Sequence, residues 1–126
     1  MPEWSFRDYL TTNGTNEIKS WIESLPKAAQ AKIDYILLVL RGSRNWPPQY
    51  VSALVDWDDI YEIRVVANGV QYRPLGCYGP ERREFTLLIG AVEKGGKLPR
   101  AALEAAVQRR KIILSDRGRT DEHRFR

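Results

Sequence analysis

The sequence of 126 residues has one cysteine, Cys77, and one histidine, His123. One cysteine can form no internal disulfide, and one Cys with one His cannot build the ligand set of a zinc site. Gly-rich phosphate loops and nucleophile elbows are also missing. A Ser-His-Asp or Cys-His triad would depend on His123, far along in the C-terminal segment. The sequence therefore predicts neither a metal nor a cofactor.

Long apolar runs are missing as well. No run approaches the roughly 18 residues that a membrane span requires, and no apolar segment follows Met1. We therefore expect a cytoplasmic protein, where a single reduced thiol is ordinary. The chain is long enough for one domain with its own core.

Positive charge is concentrated late in the chain. The net charge is +4, yet residues 94–114 alone carry six Lys or Arg against one Glu. A clustered basic surface favours a polyanion or an acidic protein as partner. The alternative is a solvated helix face followed by a disordered tail.

A predicted β-hairpin spans residues 60–78, IYEIRVVANGVQYRPLGCY. Asn68-Gly69 favours a two-residue type I′ turn, which pairs Val65 with Tyr72 and Arg64 with Arg73. One hairpin face is then apolar and predicted to be core: Tyr61, Ile63, Val65, Ala67, Val70, Tyr72 and Pro74. The opposite face carries Glu62, Arg64, Val66, Gln71, Arg73 and Leu75.

The two facing arginines require an explanation. Like charges across a ladder cost roughly 0.2–1 kcal/mol. We expect Arg64 and Arg73 on a face away from the helices, where an anion bridging both guanidinium groups would turn repulsion into a charge-assisted clamp. In the alternative, both side chains extend into water and Glu62 screens Arg64.

The remaining pattern predicts the order β-α-α-β-β-β-α. A strand over 4–10 precedes a helix from Thr15 to Leu25 and a second, Ala-rich helix ending at Gly42. A central strand over 84–90 and a helix from Pro99 or Arg100 follow the hairpin. Helices on one face of a mostly antiparallel sheet make a two-layer α+β domain, which we place at residues 1–114. Residues 115–126 are predicted to be a flexible basic tail. Acidic residues 56–59, DWDD, are more typical of a solvated turn than of a cation site.

Several segments together resemble one family: IKSWIESLP, IYEIRV, VQYR, and FTLLIGAVEKGGKLPRAALEAAVQRR. Over roughly residues 4–112 the sequence resembles the RelE/ParE superfamily of toxins from type II toxin–antitoxin pairs, in its HigB-like, phage-derived branch. The resemblance implies a compact RelE-like domain that a cognate antitoxin, expected to be a helix-turn-helix protein, neutralises. It also implies an mRNA interferase, a ribosome-dependent endoribonuclease in which the ribose 2′-OH attacks its own phosphate without metal.

The resemblance also implies site residues. Arg64 and Arg73 would clamp the phosphate, Lys94 would bind the backbone or assist proton transfer, and Tyr78 would stack on a base or orient the 2′-OH. Further RNA-binding residues would be Lys97, Arg100, Arg109 and Arg110. The sequence departs from the family where Glu93 replaces an expected lysine; its carboxylate would either repel RNA or act as a general base.

Two alternatives stay open at this stage. The first is a non-catalytic family member, either a ParE-like topoisomerase inhibitor or an inert phage-derived protein that binds an antitoxin or nucleic acid. The second is a basic α+β domain that binds RNA or DNA through residues 94–126, with an affinity that falls steeply with salt.

Overall fold

The computed structural model describes residues 2–126. Its helices are α1 (Glu17–Glu23), α2 (Lys27–Arg41) and α3 (Arg100–Ser115). Its strands are β1 (Ser5–Tyr9), β2 (Val51–Ala53), β3 (Tyr61–Ile63), β4 (Val65–Ala67), β5 (Val70–Tyr78), β6 (Glu84–Glu93) and β7 (Thr120–Glu122). The α+β class predicted from the sequence, with a helical hairpin on a mostly antiparallel sheet, is confirmed.

The seven strands form one sheet in the order β2-β3-β5-β6-β1-β7, and β4 pairs with β5. Only β1 and β6 run parallel; the other pairs are antiparallel. β6 is therefore central, as its alternating apolar residues predict. Strand β2 is an edge strand that the sequence analysis did not find, because three residues are too few to show alternation.

The helical hairpin α1–α2 covers one face of the sheet. Ile18 and Ile22 of α1 are buried, and α2 contributes Ile33 and Leu37. These side chains pack against the sheet residues of the same cluster, which include Phe6, Ile63, Val65, Tyr72, Phe85 and Leu87. Asn16 caps α1 by accepting a hydrogen bond from the backbone N–H of Lys19 at 2.9 Å.

Helix α3 covers the opposite face, which differs from the expectation that all helices share one face. Ala102, Ala106 and Ile113 are its buried residues. They belong to a second apolar cluster with Leu75 and Leu88 of the sheet. Leu75, predicted on the uncovered face, is therefore fully buried. The reason is the alternation of β5 and β6, which presents apolar side chains in both directions.

The Asn68-Gly69 turn has the predicted geometry. The φ angles of Asn68 and Gly69 are +50° and +78°, in the region that a type I′ turn requires. Val65 pairs with Tyr72, as the sequence predicts. The hairpin strand is interrupted at Arg64, whose backbone N–H instead donates to the carbonyl of Tyr50 at 2.8 Å.

Residues 117–122 are structured, where the sequence analysis predicted a flexible tail. A short 3₁₀ helix leads into β7, which pairs with β1. The guanidinium of Arg119 donates to the carbonyl of Leu10 and the hydroxyl of Tyr9, and the backbone N–H of His123 donates to the carbonyl of Phe6. Polar contacts to β1 hold this segment, and Phe125 beyond it packs against the core cluster. In the described residues, no helix is long and apolar enough to cross a membrane.

Cys77 is buried between β5 and α3. Burial raises the pKa of the Cys77 thiol from 9.0 to about 12; nearby Arg110 lowers it and Asp59 raises it to smaller extents. At pH 8 the thiolate fraction then falls from about a tenth to about one ten-thousandth. We expect Cys77 to react with Ellman's reagent about a thousandfold more slowly in the native protein than in denaturant.

The same thiol predicts the direction of a pH effect. Since the folded-state pKa exceeds the unfolded one, its contribution to stability is complete below pH 9 and is lost as the pH rises through about 12. A Cys77→Ala variant should lack this alkaline component in urea unfolding curves. Equal thiol reactivity in native buffer and in denaturant would contradict the prediction.

Candidate functional site

Arg64 and Arg73 lie on the same face of the hairpin but in different environments. The Arg64 side chain is 47% exposed, whereas that of Arg73 is 6% exposed. The sequence predicts two uncovered guanidinium groups, and the structure exposes only that of Arg64. Arg73 is enclosed because the neighbouring strand positions on its face bear long polar side chains that close over it.

Glu62 explains how the chain tolerates the two arginines. Its Oε1 atom lies 2.8 Å from Nε of Arg73 and 3.6 Å from Nε of Arg64. Both cations thus face one carboxylate, which is itself buried. The attraction of each cation to Glu62 offsets the repulsion between them.

The other donors of Arg73 have partners within the sheet. Its Nη1 donates to the carbonyl of Tyr72 at 3.0 Å, and its Nη2 donates to Oε1 of Gln71 at 2.8 Å. Nη2 also lies 3.6 Å from the Glu93 carboxylate. Two acidic side chains, Glu62 and Glu93, therefore flank this guanidinium.

One donor of Arg73 makes no hydrogen bond. Although Nε is 2.8 Å from Glu62, its N–H direction does not meet the carboxylate, so the contact is an ion pair only, and the buried Nε–H has no hydrogen-bond partner among the described residues. The charge of the Glu62 carboxylate compensates the burial of this group, while the Nε–H hydrogen bond itself is not made. An anion that approached along the Nε–H direction would accept that bond.

A cavity of about 330 Å³ opens beside the two arginines. Its polar lining consists of Lys32, Gln49, Tyr50, Arg64, Gln71 and Arg73. Lys32 is a third cation that sequence reasoning missed. It reaches the site because α2 packs against the edge strand β4, and no local pattern in the sequence indicates that contact.

Lys94 and Lys97 flank a second tight turn. Gly95 and Gly96 have φ angles of +57° and +75°, and the backbones of Lys94 and Lys97 exchange two hydrogen bonds of 2.9 and 3.0 Å. Both side chains are exposed. The turn continues β6, which places the lysines at the same end of the sheet as Arg73, whose partner on β6 is Ala91.

Tyr78 lies apart from these groups. It follows Arg73 by five residues on β5, about 16 Å along a strand, and its ring packs on the α1–α2 side of the sheet. Ring centroids of the aromatic cluster around it lie within 5.6 Å, and the cluster comprises Trp4, Trp46, Tyr61 and Phe85. Burial, and secondarily Tyr61, raises the pKa of Tyr78.

The predicted RNA-binding arginines of α3 divide into two kinds. Arg100 is exposed, lies 3.9 Å from Glu104, and places its guanidinium 5.6 Å from the centroid of the Trp57 ring. Arg109 donates to the carbonyl of Leu88 at 2.8 Å and pairs with Glu17. Arg110 lies 3.4 Å from Asp59. Arg109 and Arg110 thus connect α3 to the rest of the fold, and the basic residues of 94–114 do not form one surface.

In residues 2–126, no three His, Cys, Asp or Glu side chains lie close enough together to hold a metal ion. The arginine cavity presents cations and carboxylates side by side. Guanidinium and ammonium groups of three side chains can stabilise charge on phosphoryl oxygens. Two carboxylates at the same place can accept a proton.

A comparison with known protein families identifies the family of this chain. A family model described as phage derived protein Gp49-like (DUF891) matches residues 20–111. No curated protein matches the chain. The matched range begins within α1 and includes α2, the arginine hairpin, the Lys94–Lys97 turn and most of α3. The chain belongs to the Gp49-like family of phage-derived proteins, a family in the RelE/ParE-like toxin superfamily.

Proposed function

We propose that this protein is a HigB-like toxin of a type II toxin–antitoxin pair and cleaves mRNA on the ribosome. The observation that carries the proposal is the cavity that brings Arg73, the exposed Arg64 and Lys32 together as three cations. Family membership supports a toxin more broadly. A cognate antitoxin and the ribosome are the proposed partners.

The proposed chemistry requires no metal. The ribose 2′-oxygen attacks the adjacent phosphorus as its proton passes to a base, the bond to the 5′-oxygen breaks, the departing 5′-oxygen takes a proton from water, and a 2′,3′-cyclic phosphate forms. Arg64 and Arg73 bind the phosphoryl oxygens, whose charge grows in the transition state. A phosphate oxygen replaces the Glu62 carboxylate at Arg73 and accepts the Nε–H hydrogen bond that Glu62 does not accept.

The remaining groups have proposed roles at the same end of the sheet. Glu93 is 26% exposed beside Arg73 and accepts the 2′-OH proton as general base. Lys94 and Lys97 bind the RNA backbone, and Lys32 adds a cation to the cavity. Tyr78 is not included, since its ring lies in an aromatic cluster on the other face of the sheet.

The test is primer extension on a reporter transcript after induction, comparing wild type with Arg64→Gln. Because Arg64 is exposed, this variant should fold normally. We expect cleavage to fall by about a hundredfold or more, as for removal of one charge-stabilising donor. Arg82→Gln, which removes another exposed arginine, should cleave like wild type. Purified protein should cut mRNA only when ribosomes are added.

A second candidate function follows from the acidic neighbours of Arg73. Glu62 and Glu93 hold the guanidinium as they would in an inert, antitoxin-binding member of the family. If the wild-type protein produces no cleavage with ribosomes, or if Arg64→Gln cleaves at the wild-type rate, the endonuclease proposal fails. This second function then replaces it.

A further inference from the structure

A second enclosed polar cavity lies at the opposite edge of the sheet. It has a volume of about 250 Å³. Strands β1 and β7 form its floor, and its wall includes Asn16, the N-cap of α1, and Lys19 of α1. In the strand order, β6 and β1 lie between β5, which lines the arginine cavity, and β7. The two sites are therefore separate.

A buried Asp–His pair lies in this cavity. Nδ1 of His123 is 2.8 Å from Oδ1 of Asp8, and the side-chain amide of Asn16 donates to Oδ2 at 2.9 Å. Asp8 is 2% exposed and His123 is 7% exposed. The chain brings these residues together across 115 positions of sequence.

The pair fixes the hydrogen positions on the ring. An ionised carboxylate only accepts, so Nδ1 must carry the hydrogen that lies between the two groups. In a neutral ring, Nε2 then has a bare lone pair. Among the described residues Nε2 has no hydrogen-bond partner and is not fully sealed from solvent, and His123 lines both this cavity and a smaller adjoining one. A ligand that binds there must present a hydrogen-bond donor.

The other side chains that line the cavity include both cations and carboxylates. Lys19 and Arg124 are exposed cations without a carboxylate partner among the described contacts, while Arg126 is 3.8 Å from Glu23. Asp121 and Glu122 also line the cavity, are exposed, and can accept hydrogen bonds from hydroxyl or amino groups. The cavity thus offers two free cations and several acceptors.

Phe125 completes the lining. Its ring meets that of His123 edge to face, at 5.1 Å between centroids. An anionic group beside a hydroxyl, attached to a flat apolar body, would match this set of side chains.

We propose that this cavity binds a ribonucleotide. The phosphate contacts Lys19 and Arg124, and the neighbouring ribose 2′-hydroxyl donates to Nε2 of His123. Asp8 and Asn16 hold the ring in the required tautomer. This proposal does not depend on RNA cleavage at the arginine cavity, and the two can fail independently.

The single histidine makes the test specific. In an NMR titration of the full chain with a ribonucleoside 3′-monophosphate, every imidazole signal belongs to His123. At a pH where ¹⁵N shifts show a neutral ring with its hydrogen on Nδ1, we expect a saturable shift of the Nε2 signal. The 2′-deoxy analogue should bind about three- to tenfold more weakly, because it lacks one hydrogen bond.

Two lysine variants separate site binding from general charge attraction. Lys19→Gln should weaken the affinity several-fold, whereas Lys111→Gln, which changes an exposed lysine on α3 that does not line this cavity, should leave it unchanged. Asp8→Asn should alter the ¹⁵N tautomer signature; its thermal unfolding reports whether the fold persists. The proposal is wrong if Nε2 does not shift, if Lys19→Gln binds like wild type, or if the 2′-deoxy analogue or inorganic phosphate binds equally well.

Discussion

Replacing Arg73 with Ala is expected to lower the free energy of unfolding by about 3–5 kcal/mol, as for removal of one partner of a buried ion pair. The Glu62 carboxylate is 8% exposed and would remain in the sheet without its 2.8 Å partner. The hydrogen bonds from Arg73 to Tyr72 and Gln71 would also be lost. Urea unfolding followed by circular dichroism measures the change through the transition midpoint.

Two comparisons separate the charge effect from the loss of packing. Arg64→Ala removes the exposed cation on the same carboxylate and should cost no more than about 1 kcal/mol. A Glu62→Leu/Arg73→Met variant removes both charges and should recover much of the stability, because no unpaired buried charge remains. A cost below about 1 kcal/mol for Arg73→Ala would show that the network does not stabilise the hairpin.

The stability loss makes Arg73→Ala a poor test of cleavage. Lost cleavage in this variant would follow from unfolding as well as from lost chemistry. Arg64→Gln is therefore the informative variant for the proposed endonuclease. Its side chain contributes to the cavity without being part of the core.

Gly90→Ala is the second change with a large expected effect. A Cβ atom at Gly90 would lie 2.0–2.3 Å from three ring atoms of Trp21, the α1 residue that packs there. The ring must leave its place or the helix must lift from β6, and overpacking of this kind costs about 1–3 kcal/mol, sometimes more. We expect a cost of about 3 kcal/mol and a change in tryptophan fluorescence.

A double-mutant cycle identifies the cause. In a Trp21→Leu background the added methyl has room, so Gly90→Ala should cost less than about 1 kcal/mol there. Gly42→Ala is the matched control, because the nearest atom to a Cβ at Gly42 is 3.9 Å away. Equal costs for Gly90→Ala in both backgrounds would exclude Trp21 as the source of the strain.

The arginine hairpin was predictable because its information is local. The Asn68-Gly69 turn and the alternation on either side act over a few residues, and together they set the pairing of Val65 with Tyr72. The same reasoning placed Arg64 and Arg73 on one face. It could not show that Glu62 would lie between them at the observed distances, since side-chain packing decides which groups a strand face encloses.

Part of the arrangement around Arg73 is local for the same reason. The turn sets Arg64 and Arg73 on one face, and Lys94 directly follows β6, the neighbour of β5. Lys32 lies beside the arginines only because α2 packs on β4. Tyr78 lies far from them because it is at the other end of β5. The sequence gives no sign that Arg109 and Arg110 are paired within the fold. Their partners, Glu17 and Asp59, belong to distant segments of the chain.

By itself the sequence determined the α+β class, the helical hairpin and the arginine hairpin, because periodicity, capping and turn residues act between near neighbours. The tertiary structure alone decided the face that α3 covers, the enclosure of Arg73 and the ordering of the C-terminal segment. It also joined Asp8 to His123. Those contacts form between residues up to 115 positions apart, and their energies depend on geometry that exists only once the sheet has assembled.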